Sequence, residues 1–520
     1  MLGLSGSAAP ARTVDSRRAP WVFAGAVIVA ALSGVLAGSN PALVIVPLLM
    51  AVPVILWKRP HWSVIFLLAA CTEIEQWGYT VGTHTGTFTS QIPFFRTFTH
   101  GMILLPAEIF VVLAVLIWVL KSGLERKINL PKSMVMRTLT ALWVLLIVAL
   151  AVGLSRGAHL KIALWELRPW LFLSLAYLLT AALMRTRKAF DTILWTLVLG
   201  SGFKGVQGTW IFFAYARQMR PRPAEILSHE EAFFLGLYLV VFVGLWLWGL
   251  RGGLRTTATI LFPFVLIADM ANSRRVAWLI LMGAMVGLFA VGLKTLPERR
   301  KFLVRTLVAG SVAAAVYLPA FWNHDNGTLG QPARAVRSVI SPDPRDKSSN
   351  LYRYEEDANL VLTIKASGKL GAGFGTPIMY SLPIANITGI DSMISYIPHD
   401  GLLWVWMRMG LQGEIVFWCF VSAAIVKASR LAKSADRQVS LLGAVIVCAL
   451  IAYVLMGHED MGFAWIRIAG AMGCLLGTLE AASKYATENS IPEVEAPARR
   501  RLPPRPPAVW ERNGLAEASR

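Results

Sequence analysis

The feature that most constrains this chain is the recurrence of apolar runs long enough to cross a bilayer, separated by connections rich in Arg and Lys. A window of about 19 residues yields about fourteen candidate spans. They start near Trp21, Pro41, Trp62, Met102, Thr138, Pro169, Phe190, Ala232, Thr257, Val276, Val304, Leu411, Val439 and Trp465. With 520 residues, 56% hydrophobic and 15% charged, and a mean hydropathy of +0.57, the chain carries more apolar surface than one soluble core buries. Lipid must serve as its solvent. The expected fold class is therefore all-α, a polytopic transmembrane helix bundle of about twelve to fourteen spans, with an external loop as a lid.

A net charge of +20 raises nucleic acid as a partner, but that needs basic residues gathered on one soluble face. Here they lie in clusters between apolar runs, which argues against nucleic acid. Alternate connections carry Lys58-Arg59; Lys121, Arg126, Lys127, Lys132 and Arg137; Arg185, Arg187 and Lys188; Arg251 and Arg255; Lys294, Arg299, Arg300, Lys301 and Arg305; and Lys427, Arg430, Lys433 and Arg437. In the alternating model these share one side, which the positive-inside rule makes cytoplasmic together with both termini.

The expected organisation is a cytoplasmic segment 1–20, spans one to eleven over 21–322, a large external loop over 323–400, spans twelve to fourteen over 401–482, and a disordered cytoplasmic tail over 483–520 with Pro503, Pro504, Pro506 and Pro507. The run 21–38 is long for a signal peptide and reads as the first span. Cys71, Cys419, Cys448 and Cys474 lack ligand spacing and read as small core residues. The external side carries the longer connections, 72–101, 155–168, 216–231 and 323–398. Within the last, 352–369 reads as an amphipathic helix, and Gly371-Ala372-Gly373-Phe374-Gly375 as a flexible turn or, more weakly, a phosphate cradle.

Ile397-Pro398-His399-Asp400-Gly401-Leu402-Leu403 places an imidazole where the longest polar segment meets an apolar one. The set Ser349, Arg353, Gly371, Gly373, Gly375, His399-Asp400-x-x-Leu403 and Gly410-x-x-Gly413 resembles the core of the O-antigen ligase and O-antigen polymerase superfamily. Ser273-Arg274 is similar to the Ser-Arg that opens that core. The resemblance covers 260–426, with Asp400 where the family usually has Asn, and with more spans than the family's usual ten to twelve or so.

The resemblance implies a multispan enzyme of the bacterial cytoplasmic (inner) membrane, working on its outer face without metal, nucleotide or other cofactor. It takes a glycan from an undecaprenyl-diphosphate carrier and passes it to a hydroxyl of another glycan or of a lipid core sugar. Surface polysaccharide biosynthesis, O-antigen or exopolysaccharide, is the implied setting, with other polysaccharide assembly proteins as further partners.

The chemistry can be rebuilt from the side chains. An acceptor hydroxyl loses a proton as it attacks the anomeric carbon, so an imidazole at the membrane surface is the fitting base, and His399 is the candidate. A hydrogen-bonded loop histidine is the bland alternative. The diphosphate leaving group calls for arginines, whose planar forks bind phosphate oxygens bidentately. Arg217, Arg220 and Arg222, together with Arg274, Arg275 and Arg353, are the candidates. Headgroup binding or a solvated loop is the alternative for the first three, and pairing with Asp269 for Arg274 and Arg275.

Asp400, Lys204, Gln207 and His458 are supporting candidates, with Lys204 and Gln207 expected to face the bundle interior. Glu73-x-Glu75 resembles the acidic pair of metal-dependent membrane glycosyltransferases, or is a solvated helix end. His229-Glu230-Glu231 and His458-Glu459-Asp460 lack zinc spacing. A transporter or lipid-carrier flippase is the rival class and would need polar groups lining a path through the bundle.

Overall fold

The structure is a computed structural model that describes residues 52–489, except 78–79, 82–83, 97–103, 126–129, 220–222, 224, 325–327 and 386–392. It is an all-α helical bundle. The helices are α1 His61–Glu73, α2 Pro106–Leu124, α3 Met134–Ser155, α4 Leu160–Leu183, α5 Arg187–Ala214, α6 Glu231–Leu247 and α7 Gly253–Ala271. They continue with α8 Arg275–Thr295, α9 Arg300–Phe321, α10 Gln331–Ile340, α11 Pro344–Ser367, α12 Gly401–Leu431, α13 Arg437–Glu459 and α14 Ile466–Glu488. A two-residue ladder, β1 Thr80–Val81 against β2 His84–Thr85, lies in the connection after α1.

Among the described residues, 8 helices are long and apolar enough to cross a membrane, so the chain is a multi-pass membrane protein. α5 and α14 are as long but less apolar than the eight, and they bury Lys204 and Arg467. The candidate spans starting near Trp62 and from Met102 onward each coincide with one of the helices α1–α9 and α12–α14. The 1–20 segment, the span starting near Trp21, the span starting near Pro41 up to 51, and the proline-rich tail lie outside the described residues; 52–58, at the end of the second span, is helical.

Three boundaries differ from expectation. Pro169 sits inside α4, which begins at Leu160, so part of the expected 155–168 connection is helix. The tail does not begin at 483, because α14 runs to Glu488, with Tyr485 edge-on to Phe190 at 5.5 Å. The 323–400 segment is not mainly loop. It holds α10 and α11, and α11 begins with Asp343 as N-cap and Pro344 in its first turn, well before 352.

The basic connections gather at one end of the bundle. Arg187 Nε lies 2.5 Å from Asp436 at the start of α13, Arg437 lies 3.6 Å from Glu298 before α9, and Arg299 donates to Leu247 O at 3.3 Å. α12 runs from that end to Gly401, so the helical lid α10–α11 lies at the opposite end. The core packs through small residues. On α14, a Cβ at Gly473 would fall 2.3 Å from Leu173 O of α4, a close approach of the kind that holds membrane helices together when lipid competes for apolar contacts.

The glycine segment 371–375 is a packed strap, neither a flexible turn nor a phosphate cradle. Its amides are spent: Ala372 N donates to Met407 O at 2.6 Å, Gly373 N to Arg408 O at 3.1 Å, Phe374 N to Ala149 O at 3.2 Å, and Gly375 N to Glu166 Oε2 at 2.5 Å. Gly373 has φ +81, and a Cβ there would stand 2.2 Å from Gly153 N. Gly373→Ala should therefore destabilise the protein by more than the roughly 1–3 kcal/mol of its backbone strain. Gly157→Ala, with φ +80 and open space around it, should show the strain alone. Thermal unfolding in detergent checks the pair, and equal losses would contradict the strap.

Candidate active site

α11 presents one face to two neighbouring polar groups. Toward 393–400, Glu356 is fully buried and accepts from His399 twice, from its backbone N–H at 3.0 Å and from Nδ1 at 3.0 Å. Tyr352 meets the His399 ring edge-on at 5.7 Å. With Nδ1–H directed to the carboxylate, Nε2 is the nitrogen left to take a proton, and the side chain keeps 20% exposure. Asp400 caps α12 by accepting from Leu402 N at 2.8 Å and Leu403 N at 3.0 Å, and it holds His458 Nδ1 at 3.0 Å. Burial, followed by the nearby Asp400 and Glu356 carboxylates, pushes Asp357 on the same helix up to about 6.

One turn back along α11, Arg353 pairs with Glu459 at 3.1 Å and enters a cavity of about 1260 Å³ between the lid and the ends of α7, α8 and α13. Arg274, Arg275 and Arg353 line it, and so does Arg334 of α10. Ser273, with φ +52, turns the chain so that both arginines point into this space. Arg274 contacts Glu225 and His229, while Arg275 bonds Ser349 at 3.1 Å and Asn350 at 3.0 Å. Neither bonds Asp269, whose carboxyl is fully buried without a hydrogen-bond partner. That expected pairing is corrected.

Arg217 lines a separate, smaller pocket with its guanidinium 5.9 Å from the Phe213 ring. Arg220 and Arg222 lie outside the described residues. His399 and His458 do not line the arginine cavity; His458 stands beside His399 through Asp400.

His229 joins the cavity wall to a third imidazole–carboxylate pair, with Nδ1 3.1 Å from Asp460 Oδ2. Burial alone would lower His229, but the Asp460 charge and hydrogen bond outweigh it and raise the imidazole. Burial alone would raise Asp460, but His229, Arg353 and Arg274 hold it far below the ordinary range. The raised His229 stabilises fully below its unfolded value of 6.5 and less as pH rises through its folded value. The depressed Asp460 stabilises above its unfolded value of 3.8 and less as pH falls through its folded value, so the pair contributes most between those two unfolded values. The protein should unfold at higher temperature at pH 6 than at pH 9 or so, and Asp460→Asn should shrink that difference. An unchanged difference would remove the pair from the account.

Lys204 and Gln207 do face the bundle interior, but they belong to another network. Lys204 Nζ lies 2.9 Å from Glu75, and it donates to Glu73 O at 2.5 Å and to Thr89 at 2.7 Å. Gln207 accepts from Thr89 at 3.0 Å. Glu75 is fully buried and neutralised by Lys204, so it is neither a solvated end nor a free metal ligand. Among the described residues no group of three or more His, Cys, Asp or Glu is placed to hold a metal ion. Nearby, fully buried Arg467 lies 2.7 Å from both Glu230 and Glu231.

Sequence reading missed Glu356, Arg334 and Asp346, which carry no motif, and Arg408. The last is fully buried and 2.7 Å from Glu166. It also donates to Gly373 O, Thr376 O and Tyr396 O at 2.9, 2.7 and 2.8 Å. It ties the glycine strap to the segment that carries His399. A lone Arg and a lone Glu inside apolar runs were the available signal, since such charges in membrane helices are usually paired. No protein-family model matches the chain, and no curated protein matches it by sequence.

Proposed function

We propose that this protein is a metal-independent membrane glycosyltransferase that polymerises or ligates undecaprenyl-diphosphate-linked glycan. In this reading it works on the outer face of the bacterial cytoplasmic membrane, with the basic end of the bundle and both termini in the cytoplasm. The observation that carries the reading is α11, which brings an oriented imidazole, His399 on Glu356, to within one helical turn of Arg353 and its arginine-lined cavity. The resemblance of 260–426 to the O-antigen ligase and polymerase superfamily agrees with it.

The donor diphosphate lies against Arg274, Arg275, Arg334 and Arg353. The acceptor hydroxyl attacks the anomeric carbon and gives its proton to His399 Nε2, while Glu356 stabilises the imidazolium. The new glycosidic C–O bond forms as the bond to the carrier phosphate breaks. Its electron pair leaves with the diphosphate, whose charge the guanidinium groups balance. Arg217, which lines its own smaller pocket, then stands apart from the diphosphate.

A cell lacking the protein should lose a high-mass polysaccharide and accumulate its lipid-linked precursor; polymer retained on the carrier points to the ligase form. Unchanged polysaccharide would refute the reading. A chelator should leave transfer intact, because Lys204 occupies Glu75; loss of transfer would favour a divalent-dependent enzyme built on Glu73 and Glu75. The buried Lys204–Glu75 and Arg467–Glu230–Glu231 groups favour one second reading, a flippase with an ion-coupled path. Carrier-linked glycan that crosses vesicles unchanged would select it.

A further inference from the structure

Asp346, in the first turn of the lid helix α11, sits inside the arginine cavity. Its Oδ1 lies 3.1 Å from Arg334 Nη2 and 3.7 Å from Arg275 Nη1. One carboxylate oxygen thus bridges two guanidinium groups from different elements, the lid helix α10 and the start of α8. The group is 4% exposed. Its second oxygen, Oδ2, and Arg334 Nε are both buried without a hydrogen-bond partner, so the pairing leaves donor and acceptor capacity unused.

Across the whole cavity wall, Arg274, Arg275, Arg334 and Arg353 face Asp346, Glu459 and Asp460, four cations against three anions. A doubly charged diphosphate entering this space meets arginines already engaged by carboxylates. A phosphate group offers more oxygens than Asp346, and it can take Nε and an Nη of Arg334 together, the fork geometry that the carboxylate does not achieve. Asp346 can leave without unwinding α11, because the N-cap bond runs from the Asp346 backbone N–H to Asp343 Oδ1 at 2.7 Å and does not involve its side chain.

We propose that Asp346 is a built-in stand-in for one phosphate of the donor, and that diphosphate binds by displacing it from Arg275 and Arg334. The proposal rests on the diphosphate reading of the cavity and deepens it. It makes Arg334 a phosphate-binding residue and Asp346 the residue that sets the threshold for anion entry. While the cavity is empty, the carboxylate holds the two arginines in place and closes α10 and α11 onto α8. When the anion arrives, the bridge between lid and bundle is exchanged for one through the ligand.

The test uses the full-length protein in detergent with inorganic pyrophosphate as the probe, and binding read by calorimetry. Asp346→Asn keeps the shape and removes the competing charge, so pyrophosphate should bind about tenfold or more tighter than to wild type. Arg334→Gln should weaken binding in both backgrounds. Asp346→Ser should tighten binding as well and serves if the amide variant does not fold, as judged by size-exclusion chromatography. Equal or weaker binding by the Asp346 variants, with wild type still binding, would overturn the stand-in alone and make Asp346 an organiser of the arginines. Absence of binding to wild type and variants alike would overturn both the stand-in and the diphosphate reading.

Discussion

His399→Ala should abolish glycan transfer, by at least about a hundredfold for the loss of a general base, while the folded protein and its affinity for pyrophosphate persist. The reason is geometric. The imidazole accepts nothing at Nδ1, which faces fully buried Glu356, and its ring is fixed edge-on by Tyr352. It is held for its other nitrogen. The arginines of the cavity make no bond to it, so diphosphate binding should survive. Glu356→Gln should give a smaller loss, because the amide can still orient the ring but no longer stabilises the imidazolium. Cells expressing His399→Ala should accumulate lipid-linked precursor. Precursor that is consumed at the wild-type rate would remove His399 from the chemistry.

The second large effect concerns stability. Arg408→Met should destabilise the protein by roughly 3–5 kcal/mol, the usual result of removing one partner of a buried ion pair. Methionine fills the volume, but Glu166 keeps only Gly375 N and the Trp404 indole as donors. The carbonyls of Thr376 and Tyr396 lose theirs, and Gly373 O keeps only the Thr376 hydroxyl. Because Tyr396 O is one of those acceptors, the segment leading to His399 should loosen as well, and activity should fall further than unfolding alone explains. Arg408→Lys should recover part of the stability and less of the activity, since an ammonium cannot span four acceptors in the guanidinium plane. The unfolding temperature in detergent, set beside the transfer rate, checks both parts. A stable and active Arg408→Met would mean that the strap holds itself.

The spans were legible because membrane helices are written locally, as runs of apolar residues between basic connections. α2, α3, α8 and α13 lie where hydropathy puts them. One misread boundary has a clear cause: Pro169 signals a helix start in sequence but is carried inside α4, where neighbouring helices support the freed backbone. The lid was half legible. The 352–369 stretch reads as an amphipathic helix, but α10 and the start of α11 are too polar and too short to register.

The candidate site was legible in its parts and not in its pairings. His399 and Arg353 stand out from the sequence, but the carboxylate that orients His399 lies 43 residues away, and the Arg408–Glu166 pair is separated by 242. No spacing rule reaches across such distances, because tertiary packing chooses the partners. The same holds for Lys204, whose inward direction follows from the cost of a charge in lipid, whereas its partner Glu75 emerges only when α1 and α5 are brought together.

The most direct measurement is transfer by the purified protein in lipid vesicles supplied with an undecaprenyl-diphosphate-linked oligosaccharide and an acceptor glycan. A longer glycan and free undecaprenyl diphosphate should appear in equal amounts, without added metal, and both should be lost with His399→Ala. Intact carrier-linked oligosaccharide, with no new glycosidic bond under these conditions, would contradict it.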